Sequence, residues 1–194
     1  MLASHRDSWA DVGKSKAVKI LVTEQQIHAA IDKVAAEIRA REGGRPLTVI
    51  AIMTGSIVFL ADLMRKLDQP MRVGVVQTSS YRGGTQRGAL TINSDMLLDV
   101  EGRDVLLVDD IFDTGHTLNE VIAMIDDLGP KSIKSAVLLL KRGRQEVKMR
   151  PDYVGFEIPD EFVVGYGLDY RDMYRNLPYL AALESEDLEK HRSL

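Results

Sequence analysis

Apolar positions along this chain follow two patterns that alternate. Short, β-prone apolar runs occur at Val18–Val22, Leu47–Met53, Val73–Thr78, Leu106–Asp110, Ala136–Leu140 and Tyr153–Ile158. Runs of that length and composition predict strands, several of them buried on both faces. Between them the spacing becomes helical. Thr23 and Gln26 form a capping-box pattern that opens a helix through about Arg41, with Ile27, Ile31, Val34 and Ile38 on one face and Gly43-Gly44 ending it. A Thr54-Gly55-Ser56 turn leads into a second helix, to about Leu67, and a third from Thr117 to Leu128 carries Leu118, Val121, Ile122 and Ile125. Strands alternating with helices predict an α/β fold, a parallel central sheet flanked by helices with right-handed crossovers. In such sheets ligands gather at the C-terminal ends of the strands. Met53–Ser56, Ser79–Tyr81, Asp109–Thr117 and Lys141 would all lie there.

Composition narrows the class. With 194 residues, 45% of them hydrophobic, the chain suits a single domain with a real core. Met1–Lys16 is expected as a flexible arm and Glu184–Leu194 as a charged tail. No apolar run approaches the ~20 residues that span a bilayer, and polar Met1–Asp11 lacks a signal-peptide pattern. The absence of cysteine excludes disulfides and thiol catalysis. The expectation is a cytoplasmic protein with no membrane partner. A net charge of −4 argues against a general nucleic-acid binder. It also means that capturing a polyphosphate requires local positive charge or Mg²⁺.

The candidate chemistry is concentrated in Val105–Leu118. Apolar Val105–Val108 is followed by Asp109 and Asp110, then by Asp113-Thr114-Gly115-His116-Thr117 at the start of a helix. Free amides, two hydroxyls and a glycine beside a helix N-terminus attract a phosphate. Carboxylates beside a phosphate cradle must contact something else: sugar hydroxyls, a proton or a metal. A phosphate, a hydroxylated sugar and a cation together describe a phosphorylated ribose. Taken alone, Asp109 and Asp110 could equally be solvated strand-end acids, Lys141 a strand-end lysine in solvent, and Phe162 a core residue.

This stretch resembles the phosphoribosyl-pyrophosphate motif of the type I phosphoribosyltransferases. Two further segments, Lys141-Arg142 closing a strand and Pro151–Asp160 leading into Phe162–Tyr170, resemble the hypoxanthine-guanine phosphoribosyltransferases. The resemblance runs from roughly Val18 to Leu180. It implies a fold with a small hood built from the N- and C-terminal segments and a mobile lid loop. It also implies a role in purine salvage: transfer of a phosphoribosyl group to hypoxanthine or guanine, giving IMP or GMP and pyrophosphate, with Mg²⁺ as cofactor in a homodimer or homotetramer.

The resemblance assigns residues as follows. Asp109 and Asp110 bind the ribose hydroxyls, and Thr114, Gly115, His116 and Thr117 hold the 5′-phosphate. Asp113 is the general base, taking a proton from the purine imidazole ring. Lys141 donates to the 6-oxo oxygen, Phe162 stacks on the base, and Val163 offers backbone hydrogen bonds to its edge. Asp169 matches the family's metal-side acid, acting on Mg²⁺ through water, and is also counted with the purine-binding residues; the metal set is Asp109, Asp110 and Asp169. Thr54, Gly55 and Arg175 receive pyrophosphate. Ser80 and Tyr81 match the lid, although polar, glycine-rich Ser79–Thr91 reads equally as a surface hairpin. Two departures stand out. Thr54 and His116 replace basic residues common in the family. The His116 ring could add charge near the phosphate, or point to solvent while its amide alone acts.

Other classes fit less of the chain. Val105–Asp110 matches a Walker B strand, and Gly13-Lys14-Ser15 the end of a P-loop, but Ser8 stands where the first glycine belongs. A receiver domain would not need Lys141 and Asp169 in this arrangement. A regulator of the same fold, sensing phosphoribosyl pyrophosphate or nucleotides and binding RNA or DNA, should lack the base that Asp113 provides.

Overall fold

Strand β2, Leu47–Met53, shows why this chain builds a two-faced sheet. Val49 and Ala51 enter one hydrophobic cluster while Ile50 and Ile52 enter another, because successive strand side chains point to opposite faces. β5, Asp104–Phe112, divides in the same way, with Leu106 and Val108 on one side and Val105 and Leu107 on the other. The computed structural model describes residues 19–80, 90–93 and 99–184. Within it, one sheet has the order β4-β3-β2-β5-β6-β7, adding β3 (Met71–Ser80), β4 (Leu90–Asn93), β6 (Ser132–Lys141) and β7 (Tyr153–Ile158). Five of its strands are parallel. β4 joins the edge antiparallel to β3, with Ser80 opposite Leu90. The antiparallel pairing of β3 with β4 agrees with the hairpin reading of Ser79–Thr91, while Tyr81 lies outside the described residues.

Each sheet face has its own helical cover. Helix α1, Glu24–Glu42, starts with the expected box: Gln26 N–H donates to the Thr23 hydroxyl while the Gln26 side chain accepts from the Thr23 amide. It ends on Gly43 at φ 61°, a left-handed conformation that glycine adopts without a Cβ penalty. Ile27, Ile31 and Ile38 of this helix are completely buried, each such burial contributing roughly 1.5–3 kcal/mol. Helix α2, Ile57–Met64, packs Phe59, Leu60 and Leu63 into the same cluster. The opposite face is covered by α3, His116–Asp126, through Leu118, Val121 and Ile125.

The hood is a separate antiparallel sheet of order β1-β9-β8, from β1 (Lys19–Val22), β8 (Val163–Val164) and β9 (Leu180–Ala182). It joins the two ends of the described chain, as the resemblance implied. Strand order reverses between β2 and β5: β3 lies on one side of β2, and β5, β6 and β7 lie on the other. At such a reversal the connections leave in opposite directions and open a crevice at the C-terminal strand ends.

Candidate active site

The crevice is there. A cavity of about 290 Å³ opens where β2 and β5 end, and its walls include Gly55, Asp109, Asp110, Asp113, Asp169 and Arg175. Thr54, Thr114, Gly115 and Thr117 line it as well. One end is the start of α3. The first intrahelical bond at that end is Asn119 N–H to Gly115 C=O, so the amides of His116, Thr117 and Leu118 have no helical acceptor. The N-cap residue, Gly115, has no side chain to cap them. Gly115 is required at φ 88°, and a Cβ there would lie 2.4 Å from Val147 and 2.6 Å from the Phe112 ring. The result is an amide-lined anion site.

Asp109 and Asp110 form the wall beside it. Asp109 Oδ1 accepts from the Asp110 amide at 3.0 Å, and Asp110 Oδ1 from the Ile111 amide at 2.8 Å. Neither carboxylate forms an ion pair among the described residues. Burial pushes the Asp109 carboxyl well above the ordinary range, and the adjacent Asp110 charge adds to the shift. Burial raises Asp110 too, against the opposing influence of Asp109, backbone amides and the Arg175 charge.

Gly55 permits the close fit opposite. A Cβ on it would fall 1.7 Å from Asp110 Oδ2. Gly167, at φ 99°, brings the chain after β8 against the Gly55 carbonyl, which a Cβ would approach to 2.2 Å. The Met53–Thr54 peptide in this loop is cis. Arg175 donates to the Gly167 carbonyl at 2.8 Å and pairs with Asp169 at 3.0 Å. Asp169 also accepts from the Asp172 amide at 2.8 Å. The three acids of the expected metal set thus line one cavity, but no group of three or more His, Cys, Asp or Glu side chains converges on a point among the described residues. Asp169 is already paired with Arg175.

The base end is built differently. Lys141, at the end of β6, is 8% exposed and places its ammonium 3.3 Å from Asp113 Oδ2. Phe162 is no core residue: it is 43% exposed, with its ring edge-on to Tyr170 at 5.3 Å. Val163 is buried in β8 opposite Ala182. His116 directs Nε2 to Glu146 Oε2 at 3.0 Å, so its ring is engaged outside the amide cradle. Ser80 ends β3, and its side chain is not among those described.

One feature escaped the sequence pattern. Residues 144–147 run alongside the Asp113–His116 loop. Arg144 pairs with Asp113 at 3.0 Å, Gln145 donates to the Asp113 carbonyl at 3.4 Å, and the Glu146 amide donates to the Thr114 carbonyl at 2.9 Å. The nearest signal was a charged, glycine-broken stretch, Arg142-Gly143-Arg144-Gln145-Glu146, without periodicity.

Residues 17–171 match the Phosphoribosyl transferase domain family. A hypoxanthine-guanine phosphoribosyltransferase from Staphylococcus epidermidis is 39% identical over 172 residues, covering 88% of this chain and 96% of that protein. The chain belongs to the hypoxanthine-guanine phosphoribosyltransferase family. Among solved structures, a hypoxanthine-guanine phosphoribosyltransferase from Bacillus anthracis superposes with TM-score 0.82 at 36% identity, covering 87% of this chain and all of that one (100%). A Trypanosoma cruzi hypoxanthine phosphoribosyltransferase, studied for the role of its C-terminal region in oligomeric state and activity, gives TM-score 0.86 at 38% identity, over 93% and 98% of the two chains. Like these hypoxanthine-guanine phosphoribosyltransferases, the chain has a central five-stranded parallel sheet with flanking helices. Nothing in these comparisons supports the regulatory alternative. No helix among the described residues is long and apolar enough to cross a membrane.

Proposed function

We propose that this chain transfers the 5-phosphoribosyl group of phosphoribosyl pyrophosphate to hypoxanthine or guanine in purine salvage, releasing pyrophosphate. The observation that carries the reading is the pairing of an uncompensated acid wall with an amide cradle in one cavity. A sugar phosphate satisfies both at once. The amides of His116–Leu118, with the Thr114 and Thr117 hydroxyls, would hold the 5′-phosphate. Asp109 and Asp110 would accept from the ribose hydroxyls. Gly55, the backbone at Thr54, and Arg175 would take the pyrophosphate, with Arg175 leaving Asp169 to do so.

At the other end, Lys141 would donate to the 6-oxo oxygen, Phe162 would stack on the ring, and Val163 and Asp169 would frame its edge. Asp113 would accept the imidazole proton as the glycosidic bond forms. The donor set is all oxygen, and Asp109 and Asp110 have no paired cation among the described residues, which fits Mg²⁺, an ion that takes carboxylates and phosphates while keeping part of its water. When bound, the ion would offset charge on the departing pyrophosphate; Asp109, Asp110 and Asp169 are the residues that would hold it. The protein would work in the cytoplasm as a homodimer or homotetramer.

Steady-state rates with phosphoribosyl pyrophosphate, Mg²⁺ and each purine in turn test the proposal. Turnover with hypoxanthine or guanine is expected, and a chelator should abolish it. Undiminished activity in excess chelator contradicts the metal assignment. Tight nucleotide or RNA binding without turnover on any purine contradicts the enzyme reading.

A further inference from the structure

Four charged side chains close a ring at the base end of the cavity. Asp113 Oδ2 lies 3.3 Å from Lys141 Nζ, which lies 3.4 Å from Asp160 Oδ1. Asp160 Oδ2 lies 3.4 Å from Arg144 Nη1, and Arg144 Nε closes the ring 3.0 Å from Asp113 Oδ1. Acids and cations alternate, so the ring is neutral. Its geometry bears on the reaction: each carboxylate oxygen of Asp113 already accepts from one cation, so a purine proton must compete with Lys141 at Oδ2 or with Arg144 at Oδ1. Lys141 directs its ammonium to two acids, Asp113 and Asp160, rather than toward the base.

The members of the ring are not equivalent. The Lys141 side chain is 11% exposed, whereas those of Arg144 and Asp160 are 45% and 47% exposed. Lys141 and Arg144 each meet both acids, but only Lys141 does so from a buried position. Arg144 spans two acids with different nitrogens of one planar fork, a reach that fixes the plane of a carboxylate. Its backbone neighbour Gln145 binds the carbonyls of both Asp113 and Lys141, holding the two strand ends in register.

We propose that Arg144 and Asp160 are positioning residues that pass Lys141 from Asp113 to the incoming base. This rests on the phosphoribosyl-transfer reading above. When the purine enters, Lys141 gives up Asp113 Oδ2 and turns to the 6-oxo oxygen, still tethered by Asp160. Arg144 stays on Oδ1 and keeps Oδ2 aimed at the ring. The proton on the non-attacking imidazole nitrogen moves to Oδ2, and its bonding pair returns to the ring. The attacking nitrogen forms the bond to the anomeric carbon, and the carbon–oxygen pair leaves with pyrophosphate. Asp160 also balances charge within the ring, pairing with both Lys141 and Arg144.

The test uses the full chain with phosphoribosyl pyrophosphate, Mg²⁺ and hypoxanthine, comparing wild type with Arg144→Ala and Asp160→Asn. Exposed ion pairs add little to folding, so melting temperatures should stay close to wild type. Arg144→Ala should lower kcat by about tenfold or more, as misaligned reacting groups do, with the KM for phosphoribosyl pyrophosphate unchanged within about twofold. Millimolar guanidinium ion should restore part of that kcat, which a general structural defect would not allow. Asp160→Asn should act mainly on the KM of the base, because Lys141 then stays on Asp113. Wild-type kinetics in both variants, or an Arg144→Ala loss that guanidinium does not touch, overturns the proposal while leaving the reaction standing. Absence of transfer by the wild type overturns the reaction itself and this proposal with it.

Discussion

Asp109 and Asp113 belong to the same β5–α3 junction and meet opposite electrostatic conditions. Asp109 is buried beside another acid with no cation paired to it among the described residues, and its proton affinity is raised. Asp113 sits between an ammonium and a guanidinium, inside a ring that carries its own counter-charge. The difference separates two ways of preparing a site. On the proposed reading, the phosphoribosyl end is left incomplete and would gain its missing charge and hydrogen bonds from the ligand. The base end has its ion pairs formed already and would exchange partners when the ligand arrives. The first arrangement would cost folding stability in return for affinity; the second would hold a carboxylate in a fixed orientation until the base arrives.

The largest effect expected from breaking this contrast is on turnover. Asp113→Asn keeps the shape and an acceptor oxygen but cannot take the purine proton. Single-turnover rates should fall about 10²–10⁴-fold, the usual range for a general base. A loss smaller than about threefold would move Asp113 to a structural role. Next comes Phe162→Ala, which should raise the KM of the base by roughly one to two decades if stacking contributes ~1–3 kcal/mol. Because the ring is 43% exposed and its aromatic contact is a T-shaped one with Tyr170, melting temperature should hardly change. A collapse of stability with normal base affinity would make it a packing residue.

The smallest effect concerns stability. Asp109→Asn removes a buried charge beside Asp110 while preserving the acceptor for the Asp110 amide. Burial raises the folded-state proton affinity of Asp109 above its usual 3.8, so the wild type loses stability as pH rises from that value toward the raised one. The ligand-free variant should lack that loss and melt a few degrees higher, by about 1 kcal/mol of stability, with the gap widening as pH increases. Differential scanning calorimetry across the acidic-to-neutral range measures it, and a lower melting temperature at neutral pH would refute the strained-wall account.

How much of this was legible depends on what each element uses for stability. α1 was readable at both ends because a capping box and a glycine pair mark it locally. β2 and β7 have the bounds that their apolar runs suggested. β6 begins at Ser132 rather than Ala136 because its polar residues are satisfied by acids from elsewhere. Ser132 bonds Asp104 at 2.7 Å, and Lys134 and the Ser135 amide bond Asp152 at 3.0 and 2.9 Å. A hydropathy pattern cannot see such long-range pairs. α2 ends at Met64, short of Leu67, which is buried beyond the helix.

The site followed the same rule. Asp109–Thr117 was legible because strand, acids and helix start are contiguous in sequence. Neither Arg144 nor Asp160 has a periodicity or a motif that links it to Asp113. Their relation exists only once β5, β6 and the segment after β7 are neighbours.

The claim that the two ends have different tasks is tested most directly by calorimetric titration of Mg²⁺-phosphoribosyl pyrophosphate into wild type, Asp109→Asn and Asp113→Asn. The account predicts that Asp109→Asn weakens binding at least tenfold, since ribose and metal contacts are charge-assisted and cost about 1.5–3 kcal/mol each when lost. Asp113→Asn should bind as wild type does or slightly tighter, because one negative charge near a polyanion is gone. Equal losses in the two variants, or a loss confined to Asp113→Asn, would contradict the division of the cavity into a phosphoribosyl end and a base end.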